Sequence, residues 1–268
     1  MQGRLSPLVK GKIQAFPEKY WKKEFKVLNK TGLNLIEWTL DYNDLIRNPL
    51  ITDDGIKKIK LLSKKYSVKI KSVTCDCFMQ KPFWKIKKNQ KILSFLKKII
   101  LSSGKLGIKY IVVPLVDKGS IENNNQEKKL IYICERYKKY LKDNKVNIVF
   151  ESDLKPKSLV KFIHKFDPEF FGINYDSGNS ASLNYDIDEE FRRYGKYIKN
   201  VHIKDRKKFG KTVRLGEGNV NFVKLFKNLK KIKYKGNLIL QTARSKKNRH
   251  LEELKINLNY INKLKYES

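Results

Sequence analysis

The sequence predicts an α/β protein built as a single (β/α)8 barrel, and three observations lead to this prediction. Short runs rich in β-branched and aromatic residues alternate along the whole chain with stretches of helical periodicity. Such alternation indicates right-handed βαβ units around a parallel sheet. The length of 268 residues suits eight such units closed into a barrel. An open doubly wound sheet is the alternative, but no G-x-G-x-x-G motif follows the first strand to support it.

Seven stretches are predicted to be strands, and a short eighth strand is expected at "MQGR". The seven are residues 33–38, 68–75, 109–115, 146–152, 170–176, 200–205 and 237–243. The intervals carry helical spacing, as where Leu130, Ile133, Tyr137 and Leu141 fall on one face. No linker divides the chain, so residues 1–268 are expected to form one domain.

The chain is strongly basic, with 60 Lys and Arg against 27 Asp and Glu and a formal net charge of +33. The lysines are spread over every helix-like segment, such as "KKIKLLSKK" and "ERYKKYLK", and are not gathered in one patch. We therefore expect a solvated basic surface that binds polyanions non-specifically at low salt, with no specific nucleic-acid partner.

Targeting signals and metal-binding cysteine motifs are not evident. No apolar run approaches the length of a membrane span, and the N-terminal residues lack the apolar region of a secretory signal. The expected compartment is the cytoplasm, with no membrane partner, and a homo-oligomer is left open. Cys75, Cys77 and Cys134 have no C-x-x-C spacing, so reduced structural thiols are expected.

Several polar residues come at the carboxyl ends of the predicted strands, where a parallel barrel carries its chemistry. They are Glu37, Asp76, Glu151, Asp176, His202 and Gln241. A lone histidine near a strand end is often only a buried structural side chain. Carboxylates and an imidazole converging from neighbouring strands are oxygen and nitrogen donors suited to one divalent cation, Mn²⁺, Mg²⁺, Co²⁺ or Zn²⁺.

Five stretches, "GLNLIEW", "FESD", "YDSGN", "VHIKDR" and "RLGEGNVNF", resemble the xylose isomerase-like TIM barrels, the sugar phosphate isomerase/epimerase superfamily. The resemblance covers essentially the whole chain. The last three stretches resemble the branch that includes L-xylulose-5-phosphate 3-epimerase and hexulose-phosphate isomerases. The resemblance implies an isomerase or epimerase of a sugar or sugar phosphate that acts through an enediolate. It also implies that Glu151, Asp176, His202 and Gln241 hold the metal and that Glu151 is the catalytic base.

Gln241 departs from the pattern, because the family has a second glutamate at the corresponding position. An amide oxygen can bind a cation, but it carries no charge and cannot take a proton. In the epimerases two glutamates exchange a proton on opposite faces of the sugar, whereas a one-base aldose–ketose isomerisation needs no second carboxylate. The substitution therefore favours isomerisation, unless Glu37 or Asp76 serves the other face.

The substrate-binding residues are expected among Arg4, Glu37, Asp76, Asn179, Lys204 and Arg214. Lys204 shares the facing of His202 along its strand, because side chains alternate with a period of two. Asn179 shapes the loop beside Asp176. Arg4, Arg206 and Arg214, with Arg244 as a further candidate, are placed to contact a substrate anion.

Three other functions are considered on the same barrel. A non-catalytic sugar-binding relative and a lyase with enolate chemistry are both compatible with Gln241. An apurinic-site endonuclease would resemble a three-zinc site rich in histidine. The chain has only His164, His202 and His250, and two of these lie in helical segments, so the nuclease is disfavoured.

Overall fold

The computed structural model describes residues 1–2, 5–9, 11–12, 15–245 and 248–267, with side chains as far as residue 264. Seven parallel strands form one sheet in the order β1-β2-β3-β4-β5-β6-β9. They are β1 Leu35–Thr39, β2 Lys69–Thr74, β3 Tyr110–Leu115, β4 Asn147–Ser152, β5 Phe171–Asp176, β6 Ile198–Ile203 and β9 Leu238–Leu240. Each predicted strand is present, within one to three residues of its expected ends.

The N-terminal residues close the sheet into a barrel. The Gln2 amide donates to the Leu240 carbonyl at 3.1 Å, and the Glu37 amide donates to the Met1 carbonyl at 2.8 Å. Met1 and Gln2 thus bridge β9 and β1 in the place of the expected eighth strand. The fold is the predicted (β/α)8 barrel.

Ten α-helices accompany the strands in the described part of the chain. They are α1 Trp21–Asn29, α2 Asp53–Tyr66, α3 Asp76–Gln80, α4 Gln90–Leu106, α5 Asn124–Asn144, α6 Pro156–Ile163, α7 Ser177–Ser182, α8 Ile187–Tyr194, α9 Phe222–Lys231 and α10 His250–Glu267. Local signals set several ends: the Thr52 side chain caps α2, and Gly107 ends α4 with a φ of 68°. None of the described helices combines the length and apolarity that a membrane crossing needs.

A short hairpin follows β6 and projects from the carboxyl end of the barrel. The prediction extends this strand to residue 205, but β6 ends at Ile203. The chain then forms β7 Asp205–Arg206, which pairs antiparallel with β8 Thr212–Val213. The change of direction places Lys204 at the rim of the barrel.

The main hydrophobic core lies between the sheet and its surrounding helices, where Phe150, Phe162 and Phe171 are fully buried. Inside the barrel, Tyr110, Val112 and Val149 form a small separate apolar layer. Glu151 comes two residues after Val149 and therefore shares its inward face. The barrel interior thus changes from apolar to polar toward the carboxyl ends of the strands.

Candidate metal and substrate site

Inward-facing positions of two neighbouring strands build the centre of the site. On β5 they are Asn174 and Asp176, and on β6 they are Asn200 and His202, with Lys204 next in the same series. Asp176 and His202 are register partners across the two strands. The pairing therefore places a carboxylate beside an imidazole at the top of the barrel.

Glu151, Asp176 and His202 form a triad whose ligand atoms all lie within 4.8 Å of one another. His202 Nδ1 lies 3.1 Å from Glu151 Oε2 and 3.8 Å from Asp176 Oδ2. All three residues are buried, His202 completely. Two carboxylate oxygens and one imidazole nitrogen at this spacing suit a single divalent cation.

Gln241 adds a fourth donor to the same region. Its Oε1 atom is buried and has no hydrogen-bond partner among the described residues. Its Nε2 atom donates to Gln2 Oε1 at 3.0 Å. Gln241 and Glu151 line one cavity, so the unpartnered oxygen belongs to the space beside the triad. A buried polar atom left without a partner fits a position that a cation would satisfy.

A cavity of about 330 Å³ opens above the triad at the carboxyl ends of the strands. Its polar lining comprises Thr74, Asp76, Gln80, Asp117, Glu151, Asp153, Asn179, Ser182, Lys204, Arg206 and Gln241. Four of the predicted substrate and metal residues, Asp76, Asn179, Lys204 and Gln241, thus meet Glu151 in one space. Its volume is in the range of small-ligand pockets, which is about 300–1,000 Å³.

The two carboxylate oxygens of Asp176, in the stretch "YDSGN", make different contacts. Oδ1 accepts the Asn179 amide at 2.8 Å and so caps α7. Oδ2 lies 3.3 Å from Lys204 Nζ and faces His202. Gly178 makes room for Lys204, because a Cβ at this position would lie 2.6 Å from Lys204 Cγ. The cap and the glycine together fix the carboxylate and the ammonium group.

Asp205 explains why "HIKD" is followed by "GEGNV" in this chain. Its buried carboxylate accepts three backbone amides, from Gly216 at 2.9 Å, Gly218 at 2.8 Å and Val220 at 3.1 Å. A Cβ on Gly218 would lie only 2.0 Å from Asp205 Oδ1. The Asn219 amide in turn donates to the Arg206 carbonyl at 2.9 Å. The loop therefore supports the segment that carries Arg206 into the cavity.

Glu37 lies beneath the cavity and does not line it. Its carboxylate accepts hydrogen bonds from Ser72 at 2.6 Å and Thr74 at 2.7 Å, and from Gln2 and Asn200. Its Oε1 atom is also 2.8 Å from His202 Nε2, although the two atoms are not aligned as a hydrogen bond. Glu37 was expected to contact substrate; the structure places it behind the imidazole instead.

The charges of the site are strongly coupled. Burial opposes a charge on His202, but the carboxylates of Glu37, Asp176 and Glu151 raise its pKa well above the usual value. Burial also opposes the charged form of Glu37, and His202 nevertheless lowers the pKa of Glu37 to about 2. Burial acts likewise on Asp176, whose pKa Lys204 and His202 lower to about 2. Both carboxylates are therefore ionised at neutral pH, and Asp176, the one that belongs to the triad, is able to bind a cation.

Arg214 is placed away from the triad. It forms a bidentate ion pair with Glu253 of α10, at 2.8 and 2.9 Å. It lines a different cavity of about 920 Å³, to which Arg244 and Arg249 also contribute. That larger cavity contains no member of the triad, and Glu217, Glu252 and Glu253 offset its three arginines.

Arg4, His164 and His250 are the remaining positions considered from the sequence. Arg4 lies outside the described residues, so its expected role stays a prediction. His164 is the C-cap residue that follows α6 and packs against Tyr197, and His250 begins α10. Among the described residues the one possible metal-binding group of His, Cys, Asp and Glu is the triad, which contains His202 alone of the histidines. The histidine-rich cluster of a nuclease is therefore not formed by these residues.

Besides cavity-lining residues such as Gln80 and Asp153, two residues deeper in the site, Asn174 and Asn200, are not anticipated from the sequence. Asn174 Nδ2 donates to Glu151 Oε2 at 2.9 Å and lies 3.1 Å from His202 Nδ1. Asn200 Nδ2 donates to Asn174 Oδ1 at 2.7 Å and to Glu37 Oε2 at 3.1 Å. Both asparagines stand two residues before a predicted metal ligand, so period-two alternation was the signal that could have found them.

Known proteins share this barrel. D-allulose 3-epimerase from Methylomonas sp. in complex with D-allulose superposes with a TM-score of 0.75 at 15% identity, covering 93% of this chain and 92% of that chain. A xylose isomerase-like TIM barrel protein from Mycobacterium smegmatis in complex with magnesium gives a TM-score of 0.71 at 17% identity, covering 95% and 90%. At these identities the similarity shows the fold alone.

The amino-acid sequence also matches a known protein and a family model. An uncharacterised protein of Methanocaldococcus jannaschii is 32% identical over 84 residues, which are 30% of this chain and 29% of that protein. The aligned segment thus spans less than a third of this relative. The family model of the xylose isomerase-like TIM barrel matches residues 25–264. Because this match takes in most of the chain, the protein belongs to the xylose isomerase-like TIM barrel family.

Proposed function

We propose that this protein is a divalent-cation-dependent isomerase of a sugar or sugar phosphate that works through an enediolate. The observation that carries the proposal is the Glu151–Asp176–His202 triad beneath a cavity lined by Gln241 and by substrate-binding candidates. Structural relatives with sugar ligands and with magnesium share the barrel. A sugar substrate and a cation such as Mn²⁺, Mg²⁺, Co²⁺ or Zn²⁺ are therefore proposed together.

Glu151, Asp176, His202 and the Gln241 amide oxygen would hold the cation. When bound, such a cation polarises the substrate carbonyl and stabilises the negative charge of the enediolate. The chain itself prepares the ligands, since Asn174 and Asn179 each donate to one oxygen of Glu151. These two hydrogen bonds fix the plane of the carboxylate before any ligand arrives.

Glu151 is the proposed base. It lines the cavity, and its carboxylate is held by Asn174 at 2.9 Å and Asn179 at 2.8 Å. A base must lie within hydrogen-bond reach of the proton that it removes, and of the three triad residues Glu151 is the one that lines the cavity. Glu151 would take the proton from the carbon next to the carbonyl and return it to the carbonyl carbon on the same face, while the proton of the neighbouring hydroxyl passes to the carbonyl oxygen.

Lys204 and Arg206 are the proposed contacts for substrate hydroxyls or a phosphate. Both line the cavity, and Arg206 Nη1 donates to Asn179 Oδ1 at 2.9 Å while its Nε and Nη2 atoms donate to the Gly210 carbonyl. These bonds hold the guanidinium group in one orientation. Arg214 is not proposed as a substrate contact, because its Nε and Nη2 atoms already donate to the carboxylate of Glu253.

Gln241 favours aldose–ketose isomerisation over 3-epimerisation. Epimerisation needs a second proton-transfer group on the opposite face of the sugar, and an amide cannot serve. Glu37 does not reach the cavity, whereas Asp76 lines it from the end of β2. Asp76 is thus the residue that an epimerase version of the proposal would require.

The deciding experiment measures bound metal by elemental analysis after Mn²⁺ loading and desalting. Wild type should retain about one ion per chain and Asp176→Ala none, while Asp188→Ala, which changes an exposed aspartate of α8, should match wild type. Ketoses, aldoses and their phosphates are then incubated in D₂O, and deuterium incorporation is followed by NMR. Glu151→Gln should abolish incorporation. Metal-free wild type, or full turnover by Glu151→Gln, would exclude the proposed mechanism.

A further inference from the structure

We propose that Glu37 is the positioning residue of the metal site: through His202 it supplies the negative charge that Gln241 does not. The inference rests on the proposed cation site and goes beyond it, because it assigns the third carboxylate of the site to a residue that no ion or substrate would touch. It also gives Gln241 a structural reason for being an amide.

The environment of Glu37 holds its carboxylate in one place. The side chain is completely buried, in the middle of β1, and it accepts hydrogen bonds from Ser72, Thr74, Gln2 and Asn200. Four donors on one carboxylate hold it as a fixed anion and leave it no freedom to swing toward the cavity. Its remaining close neighbour is His202 Nε2, at 2.8 Å.

Two hydrogen bonds that run in the same direction connect Gln241 to Glu37 through Gln2. Gln241 Nε2 donates to Gln2 Oε1 at 3.0 Å, and Gln2 Nε2 donates to Glu37 Oε1 at 3.2 Å. A glutamate at position 241 would present an acceptor to the Gln2 oxygen. Gln2 would then have to turn its amide, and Glu37 would lose a donor. The amide at position 241 and the carboxylate at position 37 therefore support each other.

His202 turns its Nδ1 atom toward the other triad residues and its Nε2 atom toward Glu37. Asn200 Nδ2 donates to Asn174 Oδ1, which turns the Asn174 amide nitrogen toward His202 Nδ1 and Glu151 Oε2. Asn174 Nδ2 beside Nδ1 and the Glu37 carboxylate 2.8 Å from Nε2 favour, once a cation is bound, the tautomer that carries its proton on Nε2. The lone pair of Nδ1 is then directed toward Glu151 and Asp176. This is the arrangement in which a carboxylate orients a metal-binding histidine and increases its basicity.

The test compares Mn²⁺ affinity by equilibrium dialysis in wild type, Glu37→Gln and the double variant Glu37→Gln/Gln241→Glu. Loss of such an outer carboxylate lowers metal affinity by about 10–100-fold. We expect a loss in this range for Glu37→Gln and recovery of at least tenfold in the double variant, where the charge returns at position 241. The matched control is Glu24→Gln, which changes a buried carboxylate of α1 that accepts the Leu5 and Ser6 amides.

Each outcome is decisive. If Glu37→Gln binds Mn²⁺ as wild type does, or loses no more affinity than Glu24→Gln, the inference is wrong while the proposed function stands. Absence of recovery in the double variant would also overturn it. If wild type binds no Mn²⁺, the proposed function and the inference fail together. Should Glu37→Gln not fold, ¹⁵N-detected histidine spectra of Mg²⁺-loaded wild type still decide: a proton on Nε2 of His202 supports the inference, and a proton on Nδ1 refutes it.

Discussion

Replacing Asp205 should destabilise the protein far more than an ordinary surface aspartate would. The carboxylate is completely buried and accepts the amides of Gly216, Gly218 and Val220. Hydrogen bonds to a charged group contribute roughly 1.5–3 kcal/mol each, and partial rehydration of the loop would recover part of the total. We expect Asp205→Ala to lower the free energy of unfolding by about 3–4 kcal/mol, since three such bonds are lost.

Gly218→Ala should act through the same contact. The new Cβ would lie 2.0 Å from Asp205 Oδ1, so the carboxylate must move away and release its amides. Its cost should approach that of Asp205→Ala, and the double variant should cost little more than either, giving a coupling of about 3 kcal/mol. Urea unfolding of the four proteins measures the cycle, with Asp186→Ala as a control that removes one exposed helix cap. Additive costs, or a loss below about 1 kcal/mol for Asp205→Ala, would refute this reasoning.

Three further predictions follow from the charges. Lys204→Met should raise Mn²⁺ affinity about fivefold by titration calorimetry, because it removes an ammonium group that lies 3.3 Å from Asp176 Oδ2 and is worth roughly 1 kcal/mol; a fall in affinity would contradict it. Burial raises the pKa of Glu190, so its contribution to stability is complete below pH about 4.5 and declines as the pH rises through the higher folded value. Urea unfolding at increasing pH should therefore show Glu190→Gln gaining stability relative to wild type, and a constant difference would count against it. Because the net charge of the chain is +33, the logarithm of its affinity for heparin should fall linearly with the logarithm of the salt concentration. Binding that resists salt would instead indicate a specific polyanion site.

The strands could be located from sequence because buried parallel strands are almost continuously apolar. The run "YIVVPL" is strand β3 itself, and "FGINYD" is β5. The last strand was predicted too long, as residues 237–243, whereas β9 is Leu238–Leu240. A strand extends only while a partner accepts its hydrogen bonds. On one side of β9 that partner is the short segment Met1–Gln2, so the apolar pattern alone could not set the end.

The sequence indicated which strand ends carry polar groups, but it could not indicate their depth. Glu37 and Glu151 look equivalent in sequence, since each follows an apolar run. Glu37 is the middle residue of its strand, and Glu151 is the last but one of its strand. This difference in position along the strand places Glu151 in the cavity wall and Glu37 behind the imidazole. Arg214 illustrates another limit, because its partner Glu253 is 39 residues away along the chain.

Asp176 shows that a structural and a chemical interpretation of one residue need not compete. Read from the sequence, the stretch "NYDSGN" suits a helix cap as well as a metal ligand. The Oδ1 atom of Asp176 caps the helix by accepting the backbone amide of Asn179. The Oδ2 atom faces His202 and Lys204. The side-chain Nδ2 atom of the same Asn179 donates a hydrogen bond to Glu151 Oε1 at 2.8 Å. The first turn of α7 thus couples two triad carboxylates through one asparagine, so that forming the cap also sets the spacing of the site.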